Sequence, residues 1–70
     1  MLQSQLCKQA ACLRHSFESD GYMLLDVHKL KGCRQWYYQH PNGNRVVVYL
    51  DLYTMKIVVY KNAKLIKTIQ

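Results

Sequence analysis

Three runs rich in β-branched residues, separated from one another by only a few residues, constrain the fold of this chain more than any other feature. The runs cover residues 45–51, 56–60 and 64–69. Connections this short join neighbouring antiparallel strands, because a parallel crossover needs about a dozen residues or more. The pattern therefore predicts a β-meander in the C-terminal part of the chain.

A helix is predicted at the start of the chain. Apolar side chains recur there at steps of three and four, which places them on one face of a helix. These residues are Leu2, Leu6, Ala10, Leu13 and Phe17. The helix is expected from about Leu2 to Phe17 and should end at Gly21, because glycine readily adopts the left-handed conformation found at helix ends.

Two more strands are predicted between the helix and the meander, at residues 22–30 and 33–39, with a turn at Lys31-Gly32. Strand alternation divides the first of them into two faces. Met23, Leu25 and Val27 are expected on one face, and Asp26 and His28 on the other.

The turn after the second strand carries the strongest local signal. Asn42-Gly43 is a preferred dipeptide in tight hairpins, where the central residues need positive φ. It predicts a third strand from about Arg45, with Val46, Val48 and Leu50 facing inward. The sequence thus indicates one α+β domain over residues 1–70, in which an N-terminal helix packs on one face of a mostly antiparallel meander of four to five strands.

The charge of the chain is strongly basic. Ten Lys and Arg stand against four acids, for a formal net charge of +6, and no acidic residue follows Asp51. A surplus of this size attracts anionic partners. Neither a signal peptide nor a membrane span is indicated. Three cysteines without a Cys-x-x-Cys pair favour reduced thiols in the cytoplasm, and neither a metal site nor a cofactor is expected.

The first hypothesis is a nucleic-acid-binding module, with RNA or single strands favoured and no catalytic residue. Aromatic rings on an open sheet can stack on bases while cations neutralise phosphates. The candidates for phosphate contacts are Lys29, Lys31, Arg34 and Arg45. The candidates for stacking are Trp36, Tyr37 and Tyr49.

The alternative hypothesis is a protein-interaction module or small inhibitor that binds an acidic protein surface. The contact would use the open sheet or add the last strand to the edge of a partner's sheet. The candidate residues are Lys56, Lys61, Lys64 and Lys67. Self-association to a homodimer is its simplest variant.

A metal-free ribonuclease is a third hypothesis. RNA cleavage needs a base for the 2′-hydroxyl and a cation for the developing phosphorane charge. His28 or His40, together with Arg34, would supply both groups. The spacing of these residues in the sequence does not by itself bring them together.

Residues 15–48 resemble a known family. The features are a leading helix, Asp20-Gly21-Tyr22 at the start of a strand, Lys31-Gly32 at the first turn and residues 38–47 around the next hairpin. In this order they are similar to the HicA toxins, small mRNA interferases with a double-stranded-RNA-binding-like fold. The family carries its catalytic His in a Gly-Ser-His run after the first turn, where this chain has Gly32-Cys33-Arg34. The resemblance therefore implies an RNA-facing sheet without the cleavage chemistry.

Overall fold

A computed structural model describes residues 3–70, so the predicted helix residue Leu2 lies outside the described part. One helix is followed by five strands that pair in sequence order, each antiparallel to the next. The elements are α1 (Gln3–Ser19), β1 (Met23–Leu30), β2 (Cys33–Gln39), β3 (Arg45–Asp51), β4 (Lys56–Lys61) and β5 (Lys64–Ile69). The predicted α+β architecture is confirmed.

The hydrophobic core lies between α1 and one face of the sheet, chiefly over β3 and β4. Leu6 and Ala10 of the helix are buried, and Leu13 and Phe17 pack against the same cluster. From the sheet come Trp36, Tyr38, Val46, Val48, Leu50, Ile57 and Val59. The predicted inward orientation of alternate residues in β3 is thus confirmed.

The end of α1 is tied to the hairpin between β2 and β3. Gly21 has a φ of 96°, and the backbone N–H of Tyr22 returns to the carbonyl of Phe17 at 3.0 Å. His40 accepts a bond from the N–H of Asn42 at Nδ1, 3.1 Å away, so its Nε2 carries the proton and donates to the carbonyl of Asp20 at 3.1 Å. One imidazole therefore joins two turns.

A β-bulge changes the expected faces of β1. Leu24 lies opposite Tyr38 and Asp26 opposite Tyr37, so Leu25 is the additional residue. The alternation reverses across it, and Met23 lies on the face of Asp26 rather than on the face of Val27. The prediction that Met23 and Val27 share a face is wrong, because alternation assumes a regular strand.

A polar cluster connects α1 with β2. The hydroxyl of Tyr38 donates to Oε2 of Glu18 at 2.8 Å, and the guanidinium carbon of Arg14 lies 4.4 Å from the ring centre of Trp36. Burial, and then the neighbouring Glu18, raise the pKa of Tyr38 to about 12. These contacts fix the helix over one face of the sheet and leave the opposite face uncovered by it.

Candidate interaction face

The sheet face that points away from α1, here called the open face, carries a row of rings across four strands. Residues directly opposite each other on paired strands share a face, which assigns His28, Tyr37, Tyr49 and Tyr60 to this row. Ring centres of His28 and Tyr37 are 5.0 Å apart, and those of Tyr49 and Tyr60 are 5.5 Å apart in an edge-to-face arrangement. The rings therefore hold one another in place.

Hydrogen bonds orient this row further. Tyr37 donates from its hydroxyl to Oε1 of Gln35 at 2.7 Å. His28 Nε2 lies 2.9 Å from Oδ2 of Asp26, and the hydrogen bond with His28 holds the pKa of Asp26 below its usual value. Burial, followed by the hydrogen bond with Tyr37, raises the pKa of Tyr49. The row is thus ordered before any partner binds.

The open face is concave around these rings. It forms a partly open groove of about 820 Å³ that runs along β2, β3 and β4. The groove is lined by Leu25, Cys33, Tyr37, Arg45, Val47, Tyr49, Asp51, Val58, Tyr60, Asn62 and Ala63, among others. Val47 lies opposite Tyr60, and Val58 lies opposite Tyr49, so aliphatic and aromatic side chains alternate in its floor.

The charges of the open face balance. Between residues 3 and 70 it carries the cations Arg45 and Lys56 and the carboxylates Asp26 and Asp51, with a formal net charge of zero when histidine is neutral. The backbone N–H groups of Thr54 and Tyr53 bond to Asp51 and hold the pKa of its carboxyl below the usual value. Asp51 is therefore ionised at neutral pH.

The residues predicted to contact nucleic acid do not lie together. Tyr37, Tyr49 and Arg45 share the open face. Lys29 lies opposite Arg34 on the helix side of the sheet, and Lys31 is in the turn between them.

Trp36 does not belong to the open face, contrary to the prediction that it would stack on bases. It lies opposite Val48 under the helix and is only 8% exposed. Adjacent strand residues point to opposite faces, so Trp36 and Tyr37 could not both face the same ligand. In this interior position, the face of the Trp36 ring contacts the guanidinium of Arg14.

The four lysines predicted for a protein contact also divide between the faces. Lys56 lies opposite Asp51 on the open face. Lys61 and Lys64 lie opposite each other on the helix side, where Lys67 lies opposite Val59. The basic surplus is therefore found mainly away from the open face.

Sequence reasoning missed Tyr60 as a member of the aromatic row. The available signal was the turn at residues 53–55: once that turn is placed, the register sets Tyr60 opposite Val47 on the face of Tyr49. The members of the row are set by the pairing of strands across three hairpins, so they cannot be identified from the sequence of any one strand.

The groups proposed for ribonuclease chemistry are separated. His28 is on the open face, Arg34 is on the helix side, and His40 is bonded between two turns. In the described part of the chain, no group of three or more His, Cys, Asp or Glu residues is placed to hold a metal ion. Among the same residues, no helix is both long enough and apolar enough to span a bilayer.

Comparison with family models, curated proteins and solved structures finds no match to this chain. The resemblance to the HicA toxins accordingly stays a prediction. The interpretation of function depends on the geometry and charge of the two faces.

Proposed function

We propose that this protein is an interaction module that binds a protein partner through the open face. The observation that carries the proposal is the composition of that face: an ordered row of tyrosines in an apolar groove with balanced charge. Tyrosine is enriched at protein interfaces, where its ring is buried and its hydroxyl finds a partner.

Charge favours a protein partner over a nucleic acid at this face. With Arg45 and Lys56 as its cations, the face would neutralise about two phosphates, which corresponds to a salt slope of only about −1.4 for a single strand. Two carboxylates on the same face would repel the phosphates further. The open face therefore suits a partner that presents apolar side chains.

Exposed aliphatic side chains extend the apolar surface toward both edges of the sheet. Leu25 is 58% exposed, Leu30 55% and Leu65 57%. Contiguous apolar surface beyond a few hundred Å² is uncommon on monomers and marks interaction sites. A partner that covers the groove would also shield these side chains.

A random-peptide phage library tests this function without knowledge of the natural partner. The immobilised protein is expected to enrich peptides whose binding is lost in Tyr49→Asp and kept in Lys64→Ser. The second variant lowers the formal charge by the same amount as the first, but on the helix side. Enrichment that is insensitive to Tyr49→Asp, or absent, would contradict the proposal. Sizing of the free protein at the same concentrations shows whether a second copy already occupies the face.

A second candidate function is RNA binding through the helix side, which the distribution of cations favours. That side carries Lys29, Arg34, Lys61, Lys64 and Lys67, and the carboxylate of Glu18 on α1 already accepts a bond from Tyr38. If about five phosphates are neutralised, log affinity should fall with log salt at a slope of about −3.5 to −4.5.

A salt titration with labelled single-stranded RNA separates the two candidates. Binding through the helix side should weaken in Lys61→Glu and remain in Tyr49→Ala. An RNA affinity that does not change with salt would rule out the RNA function. If Tyr49→Ala abolishes RNA binding and Lys61→Glu does not, the RNA site lies on the open face instead.

A further inference from the structure

We propose that the groove of the open face binds one amphipathic α-helix of a protein partner, aligned along the strands with its C-terminal end at Arg45. This inference rests on the interaction function proposed above. It adds the secondary structure, the direction and the side-chain chemistry of the bound segment.

The groove has the dimensions of a short helix. It follows β3 from Arg45 to Asp51, and seven residues at about 3.3 Å each span roughly 20 Å. Its floor crosses from β2 to β4, two strand spacings or about 10 Å. An α-helix with its side chains is about 10 Å across, and about 13 residues cover this length.

Backbone hydrogen bonding also favours a helix over an extended segment. The floor strands β2, β3 and β4 are each paired on both sides, so their N–H and C=O groups are already used. An extended peptide laid on this face would bury backbone groups without partners, whereas a helix satisfies its own. A helix that docks in a groove needs only side-chain complementarity.

The floor of the groove defines the chemistry of the bound helix. Val47 and Val58 alternate with the rings of Tyr49 and Tyr60 along the two central strands. Leu, Ile or Met at positions i, i+3, i+4 and i+7 of a helix form a stripe that would pack between these rings. The opposite face of the helix would stay polar and in contact with water.

The ends of the groove give the helix a direction. A helix carries roughly half a negative charge at its C-terminus and half a positive charge at its N-terminus. Arg45 is exposed at one end and has no carboxylate partner among the described residues. Asp51 lies at the other end, partly offset by Lys56 across the strand, so Arg45 is the stronger determinant.

Two stapled helical peptides of about 14 residues test the proposal. They share one composition and one leucine stripe, but one has its acidic residues in the last turn and the other in the first. Wild-type protein should bind the first peptide about two- to fivefold more tightly, and Arg45→Glu should invert this preference. The two peptides can differ in intrinsic helicity, but that difference is the same for both proteins. An inverted preference in Arg45→Glu therefore cannot come from helicity.

Two further variants locate the contact. Tyr49→Ala, at the centre of the groove, should weaken both peptides by about tenfold or more, and Lys64→Ala on the helix side should change neither. Circular dichroism of each variant verifies that the fold is retained.

The outcomes separate this inference from the proposed function. Equal affinities without inversion in Arg45→Glu would overturn the direction. If neither stapled peptide binds, but extended proline-containing library peptides bind and lose binding in Tyr49 variants, the helix is wrong and the interaction function still stands. If Tyr49 variants affect neither probe, both proposals are wrong.

Discussion

Two neighbouring valines in β3 provide a direct test of the assignment of faces, through Val48→Asp and Val47→Asp. Val48 is 0% exposed and lies between Trp36 and Val59 in the core. An uncompensated buried charge costs about 3–5 kcal/mol, and the lost apolar burial about 1.5 kcal/mol more. Protonation of the new carboxyl would relieve only part of this, since a neutral carboxyl also loses its hydration on burial.

The whole stability of the domain is of the same size. At about 0.05–0.15 kcal/mol per residue, 70 residues correspond to roughly 3.5–10 kcal/mol. Val48→Asp should therefore remove about half of the stability or more, and at the lower end of that range it unfolds the protein. Val47 lies on the open face, where a carboxylate reaches water, so Val47→Asp should cost about 1 kcal/mol.

Urea denaturation followed by circular dichroism measures both changes, at protein concentrations low enough to keep the chain monomeric. The expected result is a folded Val47→Asp with a slightly lower midpoint and a Val48→Asp that is unfolded or nearly so. A stable Val48→Asp beside an unfolded Val47→Asp would show that the two faces are reversed. If the expected result is obtained, Val47→Asp also serves as a folded variant for the peptide assays, where it should abolish binding.

Two other predictions concern single contacts. Because the pKa of Tyr38 is raised to about 12 from about 10 in the unfolded chain, its neutral form stabilises the fold below pH 10 by about 2–3 kcal/mol, and this contribution is lost as the pH rises through 12. Tyr38→Phe should lower stability at pH 7 by about 1–2 kcal/mol through loss of the bond to Glu18, yet flatten the decline above pH 10, as urea melts at several pH values would show. Gly32→Ala should destabilise more than Gly43→Ala, since both glycines have positive φ but a Cβ at Gly32 would clash with the ring of Tyr53, whereas one at Gly43 has open space. Thermal melts should show about 1 kcal/mol for Gly43→Ala, and the excess at Gly32 should disappear in a Tyr53→Ala background.

The strands could be predicted because local signals agree with the global arrangement. Asn42-Gly43 marks the hairpin between β2 and β3, although only Gly43 of the pair has the predicted positive φ, and the alternation of Val46, Val48 and Leu50 marks the inner face. A register slip of one residue would have turned every apolar side chain of β3 to the wrong side. Such consistency between turn chemistry and pattern makes the order of elements readable from the sequence.

The candidate site was harder to predict, because its composition depends on relations between strands. The strand β2 carries both aromatic and polar residues on each of its faces, so its sequence marks neither face as the inner one. The bulge at Leu25 shifted the faces of β1, and no pattern in the sequence announces it. Net charge was equally uninformative about location, since ten cations can be counted without knowing which face carries them.

The separation of the basic surplus from the apolar groove has a kinetic consequence for any partner. A net charge of +6 on a body about 20 Å thick produces a field that draws acidic partners, but its cations are mostly on the helix side and at the edges. At physiological salt the screening length is about 8 Å, so these cations act on the approach and contribute little across the groove once a partner is bound. Salt should therefore slow association with an acidic partner, while dissociation, which in the proposed complex depends on the tyrosine and valine contacts, should change little. A partner held by phosphate contacts on the helix side would show the reverse, with salt accelerating its release.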